Sequence, residues 1–452
     1  MKHLLQRIAE ENHAGKPIGI YSCCSANEYV LRAALQKGKR FEAPVLIEAT
    51  ANQVNQFGGY TGQTPRQFYE TVLSLADEIG LPRDCVVLGG DHLGPLTFSM
   101  YEEERAMDHA GELVRQYVLA GFTKIHIDTS MRVASDDSKA RLPDETIARR
   151  GAELCARAEA AYAERKTLVP DAVPPVYVIG SEVPIPGGEQ KAEAELDVTA
   201  PEDLEHTVEA FRAAFLKLNL EDAWQRVIAV VAQVGVEFGG DNVFEYDRQK
   251  ASLITGAVRR FPSLVLEGHS TDYQTKYALR EMVEDSVAVL KVGPALTFAV
   301  REGLFALENI EKELYSGRNI QPSAFRDTLD EAMVKDDANW AKYYRGTKEE
   351  QKFQRAYSLS DRARYYLSEE SVSASVKRLL QNLQKHEIPY SLLSQYLPRQ
   401  AEKVRRNELR NNPAALLEDH VGDVIEDYLY ATFYIDGRLI AERTIDSSSN
   451  QT

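Results

Sequence analysis

Residues 86–95 read VVLGGDHLGP, a short apolar run that ends in two glycines, an acid and an imidazole. A run of this length closed by turn residues predicts a buried parallel strand. Asp91 and His92 then follow its carboxyl end, which is the edge where α/β proteins bind ligands. For this segment alone the alternative has equal weight, namely that Asp91 caps the next helix and His92 is an ordinary loop residue.

Seven other short apolar runs close in the same manner, at 17–22, 44–49, 123–128, 175–180, 227–234, 263–268 and 287–292. Between successive runs lie amphipathic patterns with apolar residues three and four apart, for example at 64–80 and 109–122. Eight strand–helix units in succession predict an α/β fold, the (β/α)8 TIM barrel. The eighth helix is predicted at 294–314, so we place the barrel domain at 1–315.

The sequence changes character from residue 316, where apolar runs become short and aromatic, arginine and acidic residues alternate at helical spacing. We expect a helical C-terminal extension over 316–452 that ends in a polar tail, DSSSNQT. Long loops are predicted at 130–144 and 182–190. Loops of this kind on the ligand-binding rim of a barrel commonly cover the ligand.

Composition narrows the class of protein. The 452 residues are 44% hydrophobic and 27% charged, with a net charge of −16, which is typical of a folded acidic protein. The negative charge argues against nucleic acid or an anionic membrane surface as a partner. Because no apolar run approaches a membrane span and no signal peptide is evident, we expect a cytoplasmic protein. The four cysteines show neither zinc-binding nor disulfide spacing.

Ionisable and amide side chains gather at the predicted carboxyl ends of the strands. In strand order these are Glu48, Asn52, Gln53, Asn55, Asp91, His92, Asp128, Glu182, Gln233, Glu237, Glu267, His269 and Lys291. Such a density of charge is costly to bury unless a metal ion or a charged substrate balances it.

Two imidazoles and a carboxylate from different strands are the usual ligands of a catalytic zinc or a related divalent ion. We therefore predict His92, His269 and Glu182 as metal ligands. His126 is interpreted as a structural histidine. Glycine pairs near the strand ends match neither the P-loop nor the dinucleotide fingerprint, so a kinase or a nicotinamide enzyme is poorly supported.

Several long segments resemble those of one known family. They are VLIEATANQVNQFGGYTG, LGGDHLGP, YVIGSEVPIPGGE, EGHSTDYQT and LKVGPALTFAVRE, with YSLSDRARYY and LSQYLPRQ in the extension. Together they resemble the tagatose-bisphosphate aldolase accessory-subunit family of the GatZ/KbaZ type. The resemblance implies one of two roles, either a non-catalytic partner of a class II aldolase chain or a ketohexose-6-phosphate 4-epimerase that interconverts tagatose 6-phosphate and fructose 6-phosphate.

A more distant resemblance links the strand ends to class II aldolases, which are zinc barrels. The Asp-His pair of strand three, the HIDTS segment of strand four and the histidine of strand seven match their pattern. Where the aldolases place a histidine on strand five, this sequence offers Glu182. That departure keeps a metal ligand but changes the charge of the site, and it argues against ordinary aldolase chemistry.

These observations favour a metal-dependent epimerase that works by retro-aldol cleavage, with the non-catalytic aldolase subunit as the alternative. Zinc is the expected ion, and manganese and nickel are the other candidates. Asp91 and Glu48 are the expected acid/base groups, and Asp128 is expected to orient a histidine or bind a substrate hydroxyl. Substrate contacts are expected from Asn52, Gln53, Gln233, Glu267, Ser270, Thr271 and Lys291. The expected partners are a small ketohexose phosphate and, for the alternative, a class II aldolase subunit; a homo-oligomer is left open.

Overall fold

A computed structural model describes residues 2–137, 141–181 and 196–435 of the chain. Eight parallel strands close into a barrel, which confirms the predicted (β/α)8 fold. They are β1 (Ile20–Cys23), β2 (Val45–Thr50), β3 (Val86–Leu93), β4 (Lys124–Ile127), β5 (Val176–Ile179), β6 (Val227–Val231), β9 (Val265–Gly268) and β10 (Val287–Val292). Each strand lies within a run predicted from the sequence or within three residues of it. Two additional short strands, β7 (Glu237–Phe238) and β8 (Val243–Phe244), form an antiparallel pair of their own.

Helices surround the barrel and continue beyond it. They are α1 (Leu4–His13), α2 (Glu28–Phe41), α3 (Pro65–Ile79), α4 (Glu103–Ala120), α5 (Asp144–Leu168), α6 (Pro201–Lys217), α7 (Glu221–Trp224), α8 (Arg248–Val258), α9 (Lys276–Glu284), α10 (Pro294–Tyr315), α11 (Phe325–Lys335), α12 (Lys348–Tyr357), α13 (Glu370–Leu383), α14 (Tyr390–Tyr396), α15 (Pro398–Arg405) and α16 (Pro413–Ala431). Four short 3₁₀ helices occur at Gly59–Thr61, Arg83–Cys85, Pro95–Phe98 and Arg362–Tyr365.

Local sequence explains where these helices begin and end, as α3 illustrates. The Thr64 hydroxyl accepts from the backbone amide of Gln67, and the Gln67 side-chain oxygen accepts from the Thr64 amide, forming a capping box. Pro65 occupies the first turn, where its missing N–H costs nothing. Gly80 ends the helix at φ 77°, a left-handed conformation that glycine adopts without strain.

The interior of the barrel has an apolar end and a charged end. At the apolar end, Leu5 and Ile8 of α1 pack in one cluster with strand residues such as Leu46, Val178 and Val289. This helix therefore closes the barrel at the amino ends of its strands. The charged side chains begin next to this apolar cluster, at Lys124, and continue to the carboxyl ends of the strands. The site therefore lies on an apolar base.

The helices after residue 315 pack against the barrel. Helix α16 lies beside α2, α9 and α10. At its contact with α2 the Lys37 ammonium lies 2.9 Å from Asp419 and 2.6 Å from Glu426, and the lysine is buried. A side chain at Gly422 would occupy the volume of the Lys37 methylenes, so this glycine permits the pair. The boundary at 315/316 coincides with the end of α10 but stays a prediction, and residues 436–452, including the polar tail, lie outside the described residues.

Candidate active site

The end of β3 carries a bulge that presents two adjacent side chains to the same space. Gly90 pairs with Ile125 of β4 and Leu93 with Ile127, so three steps along β3 correspond to two steps along β4. His92 absorbs the extra residue in a left-handed conformation, with φ 48°. In a regular strand neighbouring side chains point to opposite faces, whereas a bulge redirects one of them. Asp91 and His92 consequently both line the cavity at the carboxyl ends of the strands.

Three histidines form a compact triangle there. The ring centres of His92, His126 and His269 lie 4.9, 5.1 and 5.1 Å apart, and all three residues are buried. Rings bound to one ion through bonds of ~2.1 Å would have centres about 5 Å apart. Ligand atoms of Asp91, His126 and His269 lie within 4.8 Å of one another. By distance, the set Asp91, His126 and His269 therefore fits a divalent metal ion, and the His92 ring lies beside it.

Protonation and hydrogen bonding support the same fit. Burial lowers the pKa of His126 to about 4 and that of His269 to about 3, so both rings are neutral and offer lone pairs at pH 7. The Nε2 atom of His126 is buried and has no hydrogen-bond partner within the described part of the chain. Its Nδ1 atom lies 2.9 Å from the Asp91 carboxylate.

Asp128 fixes the orientation of His92. One carboxylate oxygen of Asp128 lies 2.7 Å from Nδ1 of His92, and the other accepts hydrogen bonds from the hydroxyl and amide of Ser130. Burial raises the pKa of Asp128, but the hydrogen bond and charge of His92 outweigh burial, so the net pKa lies below its ordinary value. A carboxylate on one ring nitrogen leaves the other nitrogen to a metal, as in carboxylate–histidine–metal arrangements.

Beneath the histidines lies a fully buried ion cluster. The ammonium of Lys124 lies 2.5 Å from Glu48 and 2.7 Å from Glu267, and all three side chains are 0% exposed. Burial lowers the pKa of Lys124, but the two carboxylates outweigh it, so the pKa lies above its ordinary value. Gly89 leaves room for the Glu48 side chain, because a Cβ atom at position 89 would come within 2.8 Å of that side chain.

The cluster is continuous with the histidines. Glu267 lies 3.0 Å from Nε2 of His269. Lys291 contacts the Asp91 carboxylate, and its ammonium lies 3.7 Å from Glu48 and 3.6 Å from Glu267. Burial lowers the pKa of Lys291 even though Glu48 opposes this shift. The histidines, carboxylates and lysines therefore form one connected network.

A cavity of about 660 Å³ opens over this network. Five predicted residues line it besides the Asp91–His92 pair: Asn52, Gln53, His269, Ser270 and Lys291. The 3₁₀ helix Arg362–Tyr365 and the segment 338–343, both from the C-terminal extension, form part of the wall. The extension thus completes the cavity, a role that the sequence analysis did not predict.

The other predicted residues lie elsewhere. Glu48 and Glu267 are buried in the ion cluster, and the Thr271 hydroxyl donates to the Lys291 carbonyl. The side-chain oxygen of Gln233 accepts from the amides of residues 235 and 236, so it shapes the loop after β6. Glu182 falls outside the described residues, and its assignment as a ligand stays a prediction.

Sequence reasoning missed two features of the site. His126 was interpreted as structural, although its ring forms one corner of the histidine triangle. Its place on β4, two residues before Asp128, was the available signal. Arg362 and Arg364 were not singled out. The SDRARYY segment that contains them was noted only for its resemblance, because nothing in the sequence shows where the extension packs.

Among the described residues, no helix is long and apolar enough to cross a membrane.

One family model covers nearly the whole chain. The model of the D-tagatose-1,6-bisphosphate aldolase subunit GatZ/KbaZ-like family matches residues 5–433. A crystal structure of a probable tagatose 6 phosphate kinase from Sinorhizobium meliloti 1021 is 43% identical, with a TM-score of 0.82, and the match covers 91% of this chain and 100% of that one.

Two other solved structures are more distant. A putative fructose-1,6-biphosphate aldolase from Coccidioides immitis is 16% identical with a TM-score of 0.42, covering 83% of this chain and 96% of that one. A fructose-bisphosphate aldolase from Campylobacter jejuni is 14% identical with a TM-score of 0.43, covering 84% and 92%. Likenesses this weak carry no argument about chemistry. The family match over nearly the whole chain shows that this protein belongs to the D-tagatose-1,6-bisphosphate aldolase subunit GatZ/KbaZ-like family.

Proposed function

We propose that the chain is a metal-dependent ketohexose-6-phosphate 4-epimerase, which interconverts tagatose 6-phosphate and fructose 6-phosphate. The observation that carries the proposal is the histidine triangle beside Asp91 and Lys291, all within one cavity wall or directly behind it. A chain that only stabilised a partner would have no physical need to bury three imidazoles and their carboxylate partners together.

The candidate ligands of the ion are His92, His126 and His269, with Glu182 as the predicted additional carboxylate. A divalent ion supplies positive charge beside the negative charge that develops on substrate oxygens during C–C cleavage. Zinc is the ion that this imidazole-rich set favours, and manganese and nickel are the alternatives.

Inversion at C4 of a ketohexose needs a bond to that carbon to break, because no carbonyl is adjacent to C4 and direct proton removal there is unfavourable. In the proposed route Asp91 accepts the proton of the C4 hydroxyl, and the C3–C4 bond cleaves to an enediolate and an aldehyde. The aldehyde rotates, the enediolate carbon adds to its other face, and a proton returns to the new C4 oxygen.

Addition to both faces calls for a second proton-transfer group. Glu48 was the predicted candidate, but it is fully buried against Lys124. Lys291 is better placed, because it lines the cavity, contacts Asp91, and has a pKa lowered by burial. We assign Lys291 this role, with Glu48 supporting it from 3.7 Å away.

The test is turnover by the purified full-length chain, without nucleotide. Fructose 6-phosphate is incubated with chain loaded with zinc, manganese or nickel, and products are followed by carbon-13 NMR. We expect tagatose 6-phosphate from the metal-loaded parent and at least a hundredfold less from His92→Ala, His126→Ala and His269→Ala. His206→Ala is the matched control, since this histidine is 58% exposed on α6.

The second candidate function is a stabilising subunit of a class II tagatose-1,6-bisphosphate aldolase, and the description of the matched family favours it. In that case the isolated chain would give no tagatose 6-phosphate with any of the three ions. Adding it to a class II aldolase chain would then increase bisphosphate cleavage or slow the loss of that activity on heating.

A further inference from the structure

We propose that the C-terminal extension binds the phosphate group of the substrate, through Arg362 and Arg364 on the 3₁₀ helix Arg362–Tyr365. This inference rests on the proposed function and deepens it, because it assigns the two ends of the sugar phosphate to two different parts of the chain. The reacting carbons lie at the barrel's strand ends, and the phosphate lies against the extension.

The two lysines on the barrel strands already contact carboxylates. Lys124 is fully buried between two carboxylates, and Lys291 contacts Asp91. Thr271, one of the predicted substrate contacts, has its hydroxyl bound to a backbone carbonyl and close to the Tyr428 hydroxyl. A phosphate dianion placed at the strand ends would meet carboxylates and no uncommitted cation among these groups.

Two arginines of the extension line the same cavity. Arg362 is buried and Arg364 is half-buried, and both belong to the cavity wall that also contains Asp91 and Lys291. Both donate toward the Tyr365 hydroxyl, at 3.5 and 3.2 Å. The two guanidinium groups are therefore close enough to contact one anion together.

Neutral oxygens hold Arg364 in place. One of its nitrogens donates to the backbone carbonyls of Ser360 and Asp361, at 2.5 and 2.9 Å. The Asp361 carboxylate is itself taken by Arg301 and by Thr297, at 3.0 and 2.6 Å. Within the described ranges, Arg364 is therefore fixed by neutral oxygens, which position its charge without neutralising it. A planar guanidinium positioned in this manner suits bidentate binding of phosphate.

The size of the cavity agrees with this assignment. About 660 Å³ is in the range of pockets that enclose small ligands, and the wall runs from the histidines to the extension. In a ketohexose 6-phosphate the phosphate is carried at the opposite end from the carbonyl carbons. A substrate whose C3–C4 bond lies beside Asp91 can thus extend its C6 phosphate toward Arg362 and Arg364.

The test compares binding of a phosphorylated and an unphosphorylated sugar by calorimetry, using the full metal-loaded chain. The probes are fructose 6-phosphate and fructose, and the variants are Arg364→Gln and Arg362→Gln. We expect each variant to bind fructose 6-phosphate about 10- to 100-fold more weakly, because a charge-assisted contact is lost. Fructose binding should stay within about twofold of the parent.

Arg345→Gln is the matched control, because this arginine is exposed in the same part of the extension and outside the cavity wall. It should leave both affinities unchanged, which separates direct contact from a general change in charge. If Arg364→Gln fails to fold, Arg364→Lys replaces it. Lysine keeps the charge but not the bidentate geometry, so we expect roughly tenfold weaker binding of fructose 6-phosphate.

Equal affinity for fructose 6-phosphate in the parent and both arginine variants would overturn the inference while leaving the proposed epimerase intact, provided that the parent turns the sugar over. A parent that binds fructose 6-phosphate no better than fructose would overturn the phosphate assignment directly. Absence of any turnover alongside a selective, arginine-dependent affinity would support the phosphate site and refute the epimerase alone.

Discussion

Replacing Lys124 by methionine removes the cation between two fully buried carboxylates. Its ammonium lies 2.5 Å from Glu48 and 2.7 Å from Glu267, and none of the three side chains is exposed to solvent. Methionine has a similar length, so the change removes charge with little change in volume. The variant therefore isolates the electrostatic contribution of this lysine.

Removing one partner of a buried ion pair costs about 3–5 kcal/mol, because the remaining charge is left uncompensated. Two carboxylates lose their nearest cation here, while Lys291 remains 3.6–3.7 Å from both. We expect the free energy of unfolding of Lys124→Met to fall within that range. Without Lys124 the pKa of Glu267 rises, so Glu267 should hold His269 less well. Metal affinity should therefore fall about 10- to 100-fold.

The assay is urea unfolding followed by circular dichroism, with zinc affinity measured by competition against a chelating dye. Lys16→Met is the matched control, since this lysine is 71% exposed. The double variant Lys124→Met/Glu48→Gln should recover part of the lost stability, because one unpaired charge is removed. A Lys124→Met protein as stable as Lys16→Met would refute the reasoning.

Three other predictions address different parts of the structure. Burial raises the pKa of Asp419, but Lys37 and Lys403 outweigh burial and lower the pKa to about 2. The stabilising effect of this carboxylate should therefore be complete above pH 4 and vanish as the pH falls toward 2. Urea midpoints of Asp419→Asn and the parent should converge over that interval, and a constant difference would contradict this. A Cβ atom at Gly94 would overlap the backbone carbonyl of Asp128, so Gly94→Ala should cost about 1–3 kcal/mol in unfolding free energy and weaken zinc binding; unchanged zinc affinity would show that the two loops are not coupled. Removing metal with a chelator should lower the melting temperature of the parent, and zinc should restore it, whereas a His126→Ala protein should show little response to either treatment; an equal response in both proteins would remove His126 from the ligand set.

Much of the fold follows from hydrophobic patterning. Eight apolar runs separated by amphipathic segments gave the barrel strands, because buried parallel strands are short, apolar and bounded by turns. Helix α3 lies within one residue of its predicted ends at both termini, where Thr64 and Gly80 act as caps. Strand β6 was predicted to reach residue 234 but ends at Val231, since the Gln233 side chain binds the loop amides that follow.

The site was less accessible to this reasoning. Barrel topology alone makes the carboxyl ends of the strands converge. For this reason the sequence was enough to predict Asp91, His92, His269 and Lys291 as residues of the site. His126 was interpreted as structural because its orientation depends on the local pleat of its strand, which no periodicity in the sequence reveals. The position of Arg362 and Arg364 depends on how the helices of the extension pack over long range. The sequence of those helices indicates only that they are amphipathic.

The bulge at the end of β3 also bears on how the protein could be engineered. Deleting one residue between Gly90 and Leu93 would let β3 and β4 pair evenly and would relieve the positive φ at His92. Even pairing would add hydrogen bonds between the strands, but only Asp91 and His92 lie between Gly90 and Leu93, so the deletion would remove one of the two polar side chains that line the cavity. Selection for thermostability alone would therefore favour that deletion. In a screen of stabilised variants, those with changes at the end of β3 should be the first to be assayed for activity.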